Sequence, residues 1–433
     1  MKKILIILGL VSILTPNLLA AEKRPNIVFI LADDYGLESV SCYGSDRFKG
    51  KTPNMDALAR SGLRFENVYC TPLCGPTRCL LMTGRYGFRT GGTNNKNAHT
   101  ASSKDEPSLA RTLKQAGYTT GMAGKWRQVG ESPGEWGFDE FITDNTASGW
   151  YWQKSYNRNG TIVQTTNEVY CPDVYMEFAK DFLNRHRDQP FFFYFPSHLV
   201  HSPILRTPDS KPGSNLYDEN VAYLDKQVGQ LVAELDKLGL RERTLIIFSA
   251  DNGTSGGSGT IGGRQISGHK GTMLEGGAHV PFIANWKGVT PAGKVSKDLV
   301  NFSDLFPTFA ELAGAKLPNG VKLDGHSFAL QLRGEKGNPR EWLFVQLGAK
   351  WYVRNAGWKL NESGELFDLS DAPFVERLVA SEGQSDDAKK ARQKLQAVLD
   401  ELNPAAGKNS TSVDRPARKV KQQRKRQRAA ANG

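Results

Sequence analysis

The chain has 433 residues, 39% of them hydrophobic and 23% charged, a balance that excludes collagen, a long coiled coil and wholesale disorder. That length builds one large domain or two moderate ones, with a core that needs no stapling. The net charge of +11 sits at the ends, because Lys2 and Lys3 open the chain and nine Lys/Arg face Asp414 alone between 408 and 428; the basic balance therefore belongs to a tail and is no sign of a polyanionic partner for the nearly neutral body.

Residues 1–20 read as a signal peptide. Lys2 and Lys3 form a charged start, Ile4 to Leu14 an apolar run, and Leu18-Leu19-Ala20-Ala21 a small-residue cleavage region. The run is short for a membrane span and is broken by Ser12, Thr15, Pro16 and Asn17. Export to the periplasm or the extracellular space is the expectation. Five cysteines are an odd number for an exported chain, so one is expected to be unpaired for a chemical reason. Pairing among Cys42, Cys70, Cys79 and Cys171 stays open.

Short apolar strands alternate with helical patterns, which predicts an α/β fold with a mostly parallel sheet flanked by helices. Asn26 to Ala32 reads as a buried strand followed at once by Asp33-Asp34. Pro107 to Ala116 reads as a helix stopped by Gly117, and Tyr118 to Ala123 as a strand ending near Lys125. Asp173 to Arg187 is helical, and the strand Phe191 to Phe195 runs out toward His198 and His201. Val221, Leu224, Val228, Leu231 and Leu235 keep helical spacing from Tyr217 to Leu238. Thr244 to Ala250 is a further strand, and Asp251-Asn252-Gly253 follows it. Polar or ionisable groups thus stand after the carboxyl ends of four strands, where open α/β sheets place their ligand sites.

After residue 340 short strands are expected at Trp342–Leu347, Trp351–Arg354, Trp358–Leu360 and Glu365–Asp368, with a helix from Asp386 to Leu402. The expected organisation is a catalytic domain over 22–340, a smaller C-terminal α+β subdomain with an antiparallel sheet over 341–404, and a disordered basic tail over 405–433. The tail has too few large apolar residues to form a core. It is expected to stay solvated or to touch an anionic envelope, with no nucleic-acid partner.

The strongest local signal is Cys74-Gly75-Pro76-Thr77-Arg78, followed by Thr83-Gly84-Arg85. This Cys-x-Pro-x-Arg pattern resembles the signature of the type I sulfatases. Further landmarks keep the same order: Asn26 to Asp34, Thr52-Pro53-Asn54, Gly124-Lys125-Trp126, His201-Ser202-Pro203, Asp251-Asn252-Gly253, Lys270-Gly271-Thr272 and Glu275-Gly276-Gly277. Asp304-Leu305-Phe306-Pro307 and Leu366-Phe367-Asp368-Leu369 follow, so the resemblance spans residues 25–380. It implies an alkaline-phosphatase-like core and conversion of Cys74 to formylglycine by a maturation enzyme. It also implies hydrolysis of a sulfate ester, on a sulfated sugar or glycan, through a covalent sulfate intermediate at a Ca²⁺ site.

The implied catalytic residues are Cys74, Arg78, Lys125, His201 and Lys270; the implied metal ligands are Asp33, Asp34, Cys74, Asp251 and Asn252. The hard oxygens of Asp33, Asp34, Asp251 and Asn252 suit Ca²⁺, with Mg²⁺ as the alternative, and not Zn²⁺. Lys125 and Lys270 supply positive charge for sulfuryl oxygens, and His201 can protonate the departing alcohol.

Two positions depart from the family pattern. Arg127 stands where the family usually carries a histidine base, and a guanidinium cannot act as a base at ordinary pH. Arg127 is therefore expected to bind an anionic group of the substrate, while His198, His269 or water takes the base's role. His198 and His269 are counted with Arg127 as substrate-binding candidates. The other departure is His279, where arginine is common, and no catalytic role is assigned to it. Competing readings are a phosphoester or phosphonate hydrolase of the same superfamily and a catalytically silent glycan-binding relative.

Overall fold

The computed structural model describes residues 24–126, 129–145 and 150–408. The leader, Arg127 and the chain beyond 408 lie outside the described residues. The apolar run Asn26–Ala32 is strand β1, buried along its whole length, as a strand covered on both faces must be. It lies in a ten-stranded sheet with β2 (Leu63–Tyr69), β3 (Thr119–Ala123), β4 (Glu140–Asp144), β5 (Trp152–Arg158) and β6 (Thr161–Tyr170). The sheet also takes β7 (Phe191–Pro196) and β8 (Thr244–Ala250). The hairpin of β9 (Ser258–Ile261) and β10 (Arg264–Ser267) stands apart as a second sheet, and β11 (Phe282–Trp286) and β12 (Lys294–Asn301) complete the large one.

The strand order is β12-β2-β11-β8-β1-β7-β3-β4-β5-β6. The centre, β8-β1-β7-β3-β4, is parallel throughout, with antiparallel additions at β11 and at β5–β6. The α/β expectation holds, and the hairpin β5–β6 extends the sheet beyond it. The rings of Phe29, Phe192, Phe302 and Phe309 pack into one core beside β1 and β7.

Helix starts differ from expectation for local reasons. Ser108 Oγ accepts from Arg111 N at 3.4 Å, so that helix runs Leu109–Gln115, with Pro107 outside it. The next long helix begins at Cys171, earlier than expected, because Pro172 sits in its first turn where no N–H is needed. The helices Leu216–Lys237 and Asp386–Leu402 lie close to their predicted spans.

The C-terminal part is an antiparallel meander of β13 (Leu343–Leu347), β14 (Lys350–Arg354), β15 (Trp358–Asn361), β16 (Leu366–Asp371) and β17 (Val375–Leu378). It grips the segment 273–275 of the larger unit. Arg354 Nη1 donates to Glu275 Oε2 at 2.8 Å, and Lys359 Nζ donates to Met273 O at 3.2 Å. Glu376 receives Glu275 N at 2.7 Å and Lys359 Nζ at 2.5 Å. The expected tail boundary at 405 falls inside the turn Pro404–Ala406, and Lys408 N donates to Phe88 O at 2.6 Å. All five cysteines are free thiols, so no disulfide joins Cys42, Cys70, Cys79 or Cys171. Among the described residues no helix is long and apolar enough to cross a membrane.

Candidate active site

The parallel register assembles the site. Ala32 of β1 pairs with Ala250 of β8, so Asp33-Asp34 and Asp251-Asn252 leave the sheet at one level. Leu31 pairs with Pro196 of β7, which brings 197–201 alongside; Asp33 N donates to Leu199 O and Val200 N to Asp33 O, both at 2.8 Å. Lys125 leaves β3 and its N donates to Pro196 O at 2.7 Å. Cys74 begins the helix Cys74–Thr83, every residue of which is buried, and a helix N-terminus favours negative charge. Gly75 N is held by Asn95 Oδ1 at 2.8 Å. The Lys270 loop is tied to this turn, since Gly271 N donates to Pro72 O at 2.8 Å. Gly253 lets the loops meet, because a Cβ there would lie 1.8 Å from Gly276 O and 2.0 Å from Gly268 O.

The charges interlock. Lys125 Nζ bonds Asp33 Oδ2, and Lys270 Nζ bonds Asp34 Oδ1. Arg78 reaches Asp251 Oδ2 through Nε at 3.1 Å and Nη2 at 2.8 Å, and its Nη1 donates to Lys125 O at 3.2 Å. Asp33, Asp251, Arg78 and Lys125 are at most 1% exposed, so these interactions are little screened. Burial works against the charge of Asp34, but the lysines and His201 win and hold its carboxyl well below the usual range. Burial and the neighbouring Asp33 push Asp251 up to about 6, against the pull of Arg78. Burial likewise raises the Cys74 thiol, which Lys125 and Lys270 oppose.

His201 Nε2 lies 3.7 Å from Asp34 Oδ2, while its Nδ1 bonds Ser202 O at 2.5 Å. Burial pushes its pKa well down. The Trp150 ring sits 4.1 Å from the His201 ring and 5.1 Å from Lys125 Nζ. The Lys125–Trp150 contact is a cation–π pair.

The donor set fits a hard divalent cation. Asp33 Oδ1, Asp34 Oδ2 and Asn252 Oδ1 are buried oxygens with no hydrogen-bond partner, a costly state unless a ligand completes them. Ligand atoms of Asp33, Asp34 and Asp251 lie within 4.8 Å of one another, as do those of Asp33, Cys74 and His201. Oxygen donors of this kind suit Ca²⁺ or Mg²⁺.

The structure thus brings together Asp33, Asp34, Cys74, Arg78, Lys125, His201, Asp251, Asn252 and Lys270. His198 does not join them. It is 1% exposed, and its Nε2 bonds Asp144 Oδ1 of β4 at 3.2 Å. Burial lowers its pKa, with Asp144 opposing. His269 is exposed at φ 48° beside Lys270, and Arg127 lies outside the described residues. Asn95, Asp144 and Trp150 do not stand out in the sequence, because their polar or apolar surroundings carry no spacing signal.

Comparison with known proteins agrees with this geometry. The sulfatase family profile matches residues 25–315. The chain belongs to the sulfatase family. Human arylsulfatase A (Homo sapiens) is 35% identical over 364 residues, covering 75% of this chain and 71% of that protein. N-acetylgalactosamine-6-sulfatase of the dog (Canis lupus familiaris) is 33% identical over 344 residues, covering 70% of this chain and 65% of its own length. The solved structure of Ps i-CgsB superposes with a TM-score of 0.75 at 27% identity, covering 90% of this sulfatase and 94% of that chain. A further structure of that protein holds k-i-k-neocarrahexaose. The sulfatase is accordingly a sulfuric ester hydrolase with an alkaline-phosphatase-type fold.

Proposed function

We propose that this sulfatase is exported and removes sulfate from a sugar or glycan, using Cys74 after its conversion to formylglycine and a Ca²⁺ ion held by Asp33, Asp34, Asp251 and Asn252. The observation that carries the reading is the trio of buried, unpartnered oxygens on Asp33, Asp34 and Asn252 beside Cys74. Relatives named for N-acetylgalactosamine 6-sulfate and a neighbour holding a carrageenan-type oligosaccharide support a saccharide substrate. Export follows from the leader pattern of residues 1–20.

When present, the hydrated aldehyde supplies an oxygen nucleophile with a second hydroxyl for sulfate release, and the cation supplies positive charge beside it. The rest falls to the chain. Lys125 and Lys270 place two ammonium groups beside Cys74, where the oxygens of a bound sulfate carry negative charge. Arg78 directs two N–H groups to Asp251 and so fixes that carboxylate's direction. His201 Nδ1–H donates to Ser202 O, so Nε2 is the nitrogen left to serve the departing alcohol, and it carries the proton to be passed on only in the imidazolium, the form that Asp34, 3.7 Å away, favours. Burial works against that charged form, so the proton once held is readily given up. Trp150 covers His201 and Lys125.

Mass spectrometry of the Cys74 peptide from the native host tests the first part, with sulfur replaced by an aldehyde oxygen as the expected result. Full recovery of the thiol from active enzyme would overturn it. Metal analysis tests the second part. Calcium should be bound at one per chain and Asp251→Ala should lose it, whereas full calcium content in that variant would remove Asp251 from the ligand set. Desulfation of N-acetylgalactosamine 6-sulfate and carrageenan oligosaccharides tests the third.

A further inference from the structure

A cavity of about 270 Å³ opens against Asp34. The segments following β1, β7 and β8 form its walls, with Glu38 and Arg47 from the first, Asn215 and Tyr217 at the start of the helix Leu216–Lys237 from the second, and Ser255 from the third. That volume lies just below the range of about 300–1,000 Å³ for sites of drug-sized ligands and suits one sugar ring.

Glu38 is fixed in the wall. It is 5% exposed, and its Oε1 receives the Thr254 hydroxyl at 2.5 Å. That hydroxyl in turn accepts from Gly36 N at 3.0 Å. Gly36 leaves the space the carboxylate fills, since a Cβ there would lie 2.2 Å from Glu38 Oε2. Among the described residues no ion pair reaches Glu38. Arg47, the cation of the cavity, shares Asp218 with Lys51: its Nη2 lies 2.6 Å from Asp218 Oδ1 and Lys51 Nζ 3.8 Å from Oδ2, and its guanidinium rests over the Phe48 and Tyr217 rings at 5.4 and 5.5 Å. The cavity is therefore rich in hydroxyl and amide groups, with the buried carboxyl groups of Asp34 and Glu38 and one cation, Arg47.

We propose that this cavity seats the sugar ring bearing the scissile sulfate, that Glu38 accepts a ring hydroxyl flanking the ester, and that it thereby selects against rings carrying a second sulfate at that hydroxyl. A hydroxyl donor gains a hydrogen bond to that buried carboxyl group, whereas a second sulfate has no proton to donate and crowds the carboxyl oxygens with its own. This rests on the sulfatase reading of the neighbouring site and extends it to the identity of the substrate.

The test compares wild type with Glu38→Gln on three classes of ester: 4-nitrophenyl sulfate, the 6-sulfates of galactose, N-acetylgalactosamine and N-acetylglucosamine, and the corresponding 4,6-disulfates. Calorimetric titration with the unsulfated sugars runs in parallel. Glu38→Gln should leave kcat/KM on the aryl ester within about twofold and raise KM about tenfold on the preferred monosulfate, the loss expected for one buried hydrogen bond. It should also raise the relative rate on the disulfate. Ser255→Tyr narrows the cavity from an exposed position and should give the same loss confined to KM. It serves as the probe if Glu38→Gln does not fold.

Equal losses on aryl and sugar esters would make Glu38 a support for the Asp34 loop and overturn the proposal. Unchanged kinetics on all of them would show that the ring sits elsewhere. Sugar binding sensitive to Glu38→Gln in a protein that cleaves no sulfate ester would overturn the proposed function and leave this subsite standing. Aryl-ester turnover with no saturable sugar binding would do the reverse.

Discussion

Arg78 shows how much one side chain carries. Its Nε and Nη2 both reach Asp251 Oδ2, and its Nη1 reaches Lys125 O, so a single fork orients the residue after β8 and the second residue after β3 together. Lysine offers the same charge from a point and cannot make the fork. Arg78→Lys should therefore leave a folded protein, judged by circular dichroism, with kcat lowered about 10²-fold or more, the scale on which one preorganised electrostatic donor counts. Activity within a few-fold of wild type would show that charge alone suffices there. Arg78 was legible because Cys-x-Pro-x-Arg is a local pattern. His198 was not: only the fold reveals that it is 1% exposed and bonded to Asp144, a partner from a distant strand. Glu38 was equally silent, since its meaning depends on Thr254 and a cavity built by three loops.

At the scale of elements, the segment 273–275 ties the C-terminal meander to the larger unit and leads back to Lys270. Glu275 is 2% exposed and pairs with Arg354 of β14 at 2.8 Å, with the Tyr69 hydroxyl at 2.5 Å. Burial disfavours its charge, but Arg354 and His279 prevail and hold its carboxyl below the ordinary value of 4.5. A depressed carboxyl pKa contributes stability that is complete above the unfolded value and is lost as pH falls through the folded one. Glu275→Gln should thus cost about 3–5 kcal/mol at pH 7, because it leaves the Arg354 guanidinium buried without its anion. Urea unfolding of the two proteins should show this gap shrinking as pH is lowered below about 4.5. A gap that stays constant from pH 7 to pH 3.5 would deny the ion pair its role. The strands of this subdomain were readable from their short apolar runs and turns. By contrast β6 is exposed along most of Thr161–Tyr170, so it has no buried face to imprint an alternation on the sequence.

Across the whole molecule, charge and catalysis are separated along the chain. The body carries nearly no net charge, and the excess of Lys and Arg falls between 408 and 428. The last contacts among the described residues come just before it: Lys408 N donates to Phe88 O at 2.6 Å, and a Cβ on Gly407 would lie 2.5 Å from that same oxygen. Phe88 belongs to the helix Gly87–Thr90, which closely follows the Cys74 helix, so residues 404–408 brace the element behind the site. Two truncations separate bracing from charge. Ending the chain after Lys408 should leave thermal stability and aryl-sulfate turnover unchanged, because it removes only residues 409–433. It should abolish retention on an anionic resin, and in the full chain that retention should fade as salt rises, since exposed charges are screened beyond about 10 Å at 0.1 M. Ending the chain after Asn403 removes the buried Pro404 and the Lys408 bond as well. It should lower stability by about 1–2 kcal/mol, the scale of one hydrogen bond and a small apolar contact. If the cut after Asn403 leaves stability untouched, the turn does not brace the catalytic helix; if the cut after Lys408 already loses turnover, the basic segment takes part in the site itself.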